Sequence, residues 1–423
     1  MWLTTLLPLV ALAGGGGSFG GGGGGGFSGG SSYSGGGSGG DDSSSSIGTA
    51  GSIFIFIAII VGVIFFISFS SYVAYKAKLA RDAKKAQMGA AVTAAAATDN
   101  VWQQDKLTAL ASETFIRYQK DWSDFNLDSM KSYMTPAYYQ RNLLMMGALK
   151  LINRKNQVDI TSTPEVSLDS LEDDANNARD WFKAEISAMA NDELTDTRDN
   201  TTLFFKSVKA VEQYRFVRSG NDWLFDGIDQ LSADASSQNK AIEAFAQKNG
   251  YFYSLDWGHL LLPANGQIFS SGSFGVSDIN NHVIGLVDDT IVQLYSYVAN
   301  PGMSYDRYIV AQVAVPKSYG NIVVRRRGSS LGRKRKLKEV KTEWDEFNKK
   351  YEVWASTEEQ ATSFELLNPL FMVNLEALPF EVNIEVVDNV VYLYAKEEAS
   401  QNNAEYYEQL LVILKAAHKE MRM

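Results

Sequence analysis

The sequence predicts an α+β chain carried by a single transmembrane helix. Three observations carry this. Residues 53–75 form an apolar run inside Ser43–Tyr75, a stretch without one charged side chain. Beyond it, apolar residues at helical spacing give way to alternating, strand-like spacing, once before residue 231 and again after it. Helices grouped ahead of antiparallel strands mean segregated α+β layers, not an alternating parallel sheet. The 423 residues carry 39 Lys+Arg against 49 Asp+Glu, a net −10, and are 45% hydrophobic, which is enough for packed cores. With no cysteine, disulfide frameworks, thiol nucleophiles and Cys-containing zinc or iron–sulfur sites are excluded. His259, His282 and His418 are too scattered for a histidine metal site, so no metal and no cofactor is expected.

Residues 1–13 read as a signal-like apolar leader ending in the small-x-small run Ala11-Leu12-Ala13. No Lys or Arg precedes it, so it is either a leader truncated at its basic end or an apolar anchor that stays. Residues 14–46 form a Gly/Ser-rich tether, with 18 glycines in the 27 residues Gly14–Gly40. Glycine this dense loses more entropy on ordering than it regains, so the tether should be flexible. Residues 47–75 are the transmembrane helix. The stretch Ile53–Tyr75 reaches about 34 Å at 1.5 Å per residue, against a hydrocarbon core of about 30 Å. Asp41 and Asp42 precede it, and Lys76, Lys78, Arg81, Lys84 and Lys85 follow in a basic juxtamembrane spacer, residues 76–98. The positive-inside rule places the N-terminus outside and the remaining chain in the cytoplasm.

Residues 99–231 form the first folded module. Leu107, Leu110, Ala111, Phe115 and Tyr118 repeat at helical spacing toward Trp122. A second helix is expected over Leu127–Met134, and Thr135-Pro136 opens a third with an N-cap and a first-turn proline. Val158–Ile160, Trp181–Ile186 and Leu203–Val208 read as strands. Tyr214 and Phe216 alternate toward Trp223 and Phe225 across the turn Ser219-Gly220-Asn221-Asp222, a hairpin signal. The acidic stretch Glu165–Asp199 holds eleven carboxylates against three basic residues and lacks calcium-loop spacing, so it reads as a solvated loop.

The spacing Phe115-x-x-x-Gln119-x-x-Trp122, then Leu127, then Tyr133-Met134-Thr135-Pro136, resembles the opening of the C-terminal domain of the mitochondrial inner-membrane translocase's import-motor scaffold subunit. Glu212-x-Tyr214-x-Phe216-x-Arg218 and Trp223-Leu224-x-x-x-Ile228 are similar to its closing hairpin. The resemblance implies a nuclear-transport-factor-two-like cone, helices on a curved antiparallel sheet, with an apolar pocket. Bacterial members of that family share the leader, Gly/Ser stretch and single span, which implies the bacterial cytoplasmic (inner) membrane. The scaffold's chaperone-engaging segment has no counterpart in residues 76–98, so protein import is not carried over.

Residues 232–423 form a second α+β domain. Strands are expected at Val283–Val287, Thr290–Val298, Tyr308–Val315, Asn321–Val324, Val382–Val387 and Val390–Tyr394, with helices at Ala241–Lys248, Phe364–Leu378 (broken by Pro369) and around Tyr406–Ala417. The run from Trp344-Asp345-x-Phe347 through Leu366-Leu367-x-Pro369 to Ile384-Glu385-Val386 resembles an uncharacterised domain of bacterial membrane proteins.

The clearest surface feature is Arg325, Arg326, Arg327, Arg333, Lys334, Arg335, Lys336, Lys338 and Lys341, nine cations in 17 residues opposed by Glu339 alone. This is either a solvated loop or a contact with anionic lipid, where each cation contributes about 1 kcal/mol. RNA is a third reading, against which the acidic balance of the chain argues. Tyr118, Trp122, Tyr133, Tyr138 and Tyr139 either line an apolar pocket or form core. Asp226, Asp229 and an Asp256–His259 pair are weak candidates for proton transfer, and no catalytic residue is assigned. These readings converge on a non-catalytic, membrane-anchored scaffold or binding protein. It would hold a protein partner or lipid-like ligand at the cytoplasmic face. A pocket enzyme of isomerase or hydrolase type and a ribosome-docking protein are the alternatives.

Overall fold

The computed structural model describes residues 72, 75–76, 79, 82–229, 237–256, 260, 279–299, 306–315, 318, 320–328, 337–356, 367–397 and 403–421. The leader, the tether, the transmembrane run except Tyr72 and Tyr75, and also Lys78, Arg81, His259 and Arg333–Lys336, lie outside them. Among the described residues no helix is long and apolar enough to cross a membrane. The chain divides into two units, one spanning Gly21–Asn100 and another containing Val101–Met423. In the former, residues 82–98 are helical, with Lys84 and Lys85 exposed, and Lys76 lies over the Tyr72 ring.

Within Val101–Met423 the first layer is α1 (Gln104–Ser123), α2 (Leu127–Met130) and α3 (Pro136–Leu151). The helix expected over Leu127–Met134 stops at Met130. Thr135 caps α3 as predicted, accepting from the Tyr138 N–H at 3.3 Å, with Pro136 in the first turn. The accompanying sheet contains β1 (Arg154–Ile160), β2 (Glu165–Glu172), β3 (Trp181–Asp196), β4 (Thr201–Ser219) and β5 (Asp222–Asp229). All its pairings are antiparallel, in the order β1-β3-β4-β5, with β2 against the other half of β3.

Most of the acidic stretch Glu165–Asp199 is therefore strand, β2 and β3, whereas residues 173–179 between them form a mostly exposed loop as expected. Alternate residues of β3 are buried, so its carboxylates divide between the two faces. The buried ones have partners: Arg218 donates to Asp180 Oδ2 at 2.9 Å, and Asn156 Nδ2 donates to Asp192 Oδ1 at 2.6 Å.

The second layer contains α4 (Ser237–Lys248), β6 (Phe252–Asp256), β7 (Ile279–Val287), β8 (Thr290–Ala299), β9 (Asp306–Ala314), β10 (Asn321–Arg326), β11 (Lys338–Val340), α5 (Asp345–Lys350), β12 (Tyr351–Ala355), α6 (Pro369–Glu376), β13 (Val382–Val387), β14 (Val390–Lys396) and α7 (Asn403–Met421). Its described strands form one antiparallel sheet, β11-β12-β10-β13-β14-β9-β8-β7-β6. Asp288 and Asp289, both at positive φ, close the β7–β8 hairpin, the conformation that a tight two-residue turn requires. Pro369 does not break a longer helix. It begins α6, where its missing N–H costs nothing, and Asn368 is the cap.

One face of this sheet is apolar. Val283, Leu294, Ala311, Ile322, Ile384 and Leu393 pack there against Phe245 of α4, Phe371 of α6 and Leu410 of α7. The alternate residues face the other way, and they too are buried: Gln293, Tyr295, Gln312, Arg325, Glu352, Glu385, Tyr392 and Tyr394. The first layer covers part of that polar face. A Cβ on Gly147 of α3 would stand 2.7 Å from Ile291 Cδ1 on β8, so glycine lets helix and strand approach. Arg141 of α3 donates to Ser254 Oγ at 2.6 Å, and Arg198 pairs with Asp388 at 3.0 Å. The two sequence modules thus share a packed, polar seam.

Candidate functional site

Among the described residues, two concave features bear on function. The smaller, about 60 Å³, lies in the seam and is lined by Arg154, Asp196, Arg198, Asp388, Asn389 and Tyr392. Arg154 is buried there and donates to the Leu260 carbonyl at 2.7 Å; burial lowers its guanidinium to about 10, so it stays charged at neutral pH. Two guanidinium groups face two carboxylates, leaving no net charge to attract an ion. The volume suits a pair of waters rather than a substrate.

The larger is an open groove of about 930 Å³, within the range typical of small-molecule sites. One wall is Lys341, Thr342, Glu343 and Trp344; the other is Leu367, Asn368, Pro369, Met372 and Val373. Asn348 of α5 fixes the first wall. Its Nδ2 donates to the Thr342 carbonyl at 2.7 Å, while its Oδ1 accepts from the Thr342 N–H at 3.0 Å. Trp344 stacks near Phe347, and Phe347 on Tyr351 at 4.7 Å, an aromatic ladder that runs into the core. Tyr351 donates to the Leu375 carbonyl at 3.4 Å, and Lys350 pairs with Glu376, bracing α5 and β12 against α6.

The second wall is α6, whose sequence is apolar nearly all round. Phe371, Met372 and Leu375 are buried, whereas Leu370 and Val373 are 53% and 50% exposed. Asn368 Oδ1 caps the helix by accepting from the Phe371 N–H at 2.9 Å. Its Nδ2 is shielded from solvent yet finds no acceptor among the described residues. The groove is therefore largely apolar, with Lys341 the one cation in its lining. Glu343 is the one acid in its lining.

The aromatic set proposed as pocket lining is placed differently. Tyr118, Trp122 and Tyr138 are buried as core: Tyr118 packs against Tyr214 and Phe225, Tyr138 against Phe225, and Trp122 against Tyr118. Tyr118 donates to Asn142 Oδ1 at 3.0 Å, and Trp122 Nε1 to Asn156 Oδ1 at 2.8 Å. Tyr133 is half-buried beneath Arg117 and donates to Asp121, and Tyr139 is partly exposed.

The basic stretch divides. Arg325 is 7% exposed and paired with Glu352, so its charge is directed into the sheet. Arg326, Arg327 and Lys338 are exposed, with Arg327 donating to Glu339 at 2.9 Å. Lys341 reaches the groove. Asp226 pairs with Arg215 at 3.3 Å. His282 is buried, with Nε2 3.0 Å from Gln293 Oε1, and burial lowers it to about 3, so it is neutral at pH 7. Among the described residues no three His, Asp or Glu side chains gather as metal ligands.

Sequence reasoning missed the groove because its walls are distant in sequence. The pair Asn368-Pro369, a helix-start signal, was the available clue.

Residues 303–411 match a family described as protein of unknown function (DUF3137). This match encloses the run from Trp344 to Val386 and all of the groove. No curated protein sequence matches the chain. Among solved structures, the mycobacterial trehalose monomycolate transport factor A, TtfA, overlaps 44% of this chain and 94% of its own at 13% identity and a TM-score of 0.33. The intermembrane space region of the chloroplast protein ARC6 overlaps 29% of this chain and 94% of its own at 15% identity and a TM-score of 0.23. Likeness this loose determines neither fold nor function. The translocase-scaffold resemblance of residues 99–231 gains no support from these matches.

Proposed function

We propose that the protein is a non-catalytic binding protein of the bacterial inner membrane, anchored by residues 47–75 with its N-terminus outside. On this reading the groove between Lys341–Trp344 and α6 holds an apolar ligand, or an apolar segment of a protein partner, at the cytoplasmic face. One observation carries the proposal: an open groove of about 930 Å³, floored by Trp344, Leu367 and Met372, and continuous with the exposed Leu370 and Val373. Exposed apolar surface joined to a concave site marks a place where something binds. The first sheet with α1–α3, read as the nuclear-transport-factor-two-like cone, supports the second sheet through the polar seam.

The test is photolabelling of the full chain in phosphatidylcholine nanodiscs with an uncharged alkyl diazirine, mapped by mass spectrometry. Label should concentrate on 341–344 and 367–373 and fall in Met372→Glu. Label spread evenly over the chain, or unchanged in that variant, would overturn the proposal.

A further inference from the structure

β4 is bordered on both sides along only part of its length. β3 runs beside nearly all of it, while on the opposite side β5 ends at Asp229, the partner of Gln213. Among the described residues no strand pairs with that second edge from Phe205 to Val211. The ladder shows which backbone groups point there. The Met189 carbonyl accepts from the Thr161 N–H at 2.8 Å, and the Met189 N–H donates to Ser162 Oγ at 2.8 Å, both on the side away from β4. Backbone direction alternates along a strand, so Ala188, Ala190 and Asp192 are directed toward β4, onto Ala210, Val208 and Lys206. Phe205, Ser207, Lys209 and Val211 therefore present their N–H and C=O groups at the open edge. Phe205 is 58% exposed, and Ser207 and Lys209 are exposed as well. An open edge beside an exposed aromatic ring is a template for another strand.

We infer that this edge of β4 pairs antiparallel with the same edge of a second copy of the chain, around a two-fold axis at Val208. The surface is independent of the groove. In this register the stretch is self-complementary. Phe205 lies opposite the copy's Val211, an aromatic residue against a β-branched one. Lys206 lies opposite the copy's Ala210, and Ser207 opposite its Lys209. Edge lysines ordinarily hold copies apart, but here neither lysine meets its counterpart. Each outward N–H faces an outward C=O, and every pair recurs across the axis, as an isologous contact requires. Centring the pair on Lys206 or Lys209 would set like charges face to face. Centring it on Ser207 would carry the pairing into the bulge of β4 at Leu203.

The chain has no cysteine, so introduced thiols report without background. Two full chains with different tags, one carrying Ser207→Cys and the other Lys209→Cys, are co-expressed in a membrane and oxidised with copper phenanthroline. Directly opposed residues of a hydrogen-bonded antiparallel pair stand about 5.5 Å apart at Cα, within disulfide reach. A disulfide joining the two tags should form readily. Either variant expressed alone, with its thiols two residues out of register, should cross-link weakly. Glu165→Cys, exposed on β2, sets the level of random collision. Phe205→Pro in both chains removes an outward N–H and the ring while sparing the ladder with β3, and should abolish the disulfide. Phe205→Ser, which deletes the ring alone, should weaken it.

Mixed-tag cross-linking at the Glu165→Cys level overturns the proposal. So does a disulfide undiminished in Phe205→Pro chains whose circular dichroism matches the parent. Single variants that cross-link as strongly as the mixed pair overturn the axis at Val208.

Discussion

Arg325 donates from Nε to Glu352 Oε1 at 2.5 Å across the paired strands β10 and β12, and both side chains are almost wholly buried. In sequence Arg325 is the first of three consecutive arginines, indistinguishable from its neighbours. Both faces of β10 are covered, so Ile322 to Arg325 are all buried; Arg325 lies on the polar face beside Glu352, whereas Arg326 is exposed at the end of the strand. The two positions should therefore respond oppositely. Arg325→Gln leaves the Glu352 carboxylate buried without its guanidinium, a loss of about 3–5 kcal/mol. Arg326→Gln should change stability by less than about 0.5 kcal/mol. Urea denaturation of the detergent-solubilised chain measures both, and the double change Arg325→Leu/Glu352→Leu should recover most of the loss.

Gly285 and Tyr251 form a second close relationship. A Cβ on Gly285 of β7 would overlap the base of the Tyr251 ring, which lies across the strand just before β6. Gly285→Ala forces that ring off its packing and should cost about 1–3 kcal/mol. In a Tyr251→Ala background the same change should cost almost nothing. A double-mutant cycle on denaturation midpoints reads the coupling, and additive effects would show that the ring and the glycine are independent.

Asp192 provides a pH dependence whose sign is fixed. Burial raises its carboxyl from the ordinary value to about 6, opposed by the Asn156 amide and by Lys206. In the unfolded chain it titrates near pH 3.9. The folded state therefore holds this proton more tightly, and the associated stability is fully present below about pH 4. It is lost as pH rises through about 6, by about 3 kcal/mol in total. Asp192→Asn should flatten this part of the stability profile between pH 4 and pH 6.5. A slope unchanged in the variant would assign it to another group.

These residues also show what could be read from the chain and what could not. The Thr135-Pro136 start of α3, the Ser219–Asp222 hairpin and the β7–β8 turn follow from local rules, because caps and tight turns are satisfied within a few residues. Over β2 and β3 the acidic segment misled because composition is averaged over both faces of a strand. Asp180 and Asp192 point inward to Arg218 and Asn156, partners 38 and 36 residues away. The aromatic set could be read as pocket lining or as core, because helical spacing shows only which residues of a helix share a side. It does not show that Tyr214 and Phe225 arrive from the sheet to fill that side. The groove was illegible for a related reason: its walls meet only after β12 and the segment beyond it have been placed.

The last prediction concerns the other cations of the basic stretch. With Arg325 turned inward, those remaining in the basic stretch and outside the groove are Arg326, Arg327, Arg333, Lys334, Arg335, Lys336 and Lys338. Glu339 offsets part of Arg327. Even at half the usual contribution of about 1 kcal/mol per cation near an anionic surface, seven together exceed 3 kcal/mol. Changing all seven to Gln in a chain lacking residues 1–75 should weaken co-sedimentation with anionic vesicles by at least about tenfold, with binding to neutral vesicles unchanged. Raising the salt toward 1 M, where the screening length falls to about 3 Å, should weaken the parent in the same way. Arg325→Gln should lower vesicle binding only to the extent that it unfolds the chain, so its effect should disappear when binding is normalised to the folded fraction. Equal binding of the parent and the sevenfold variant would mean that these seven cations do not contact lipid.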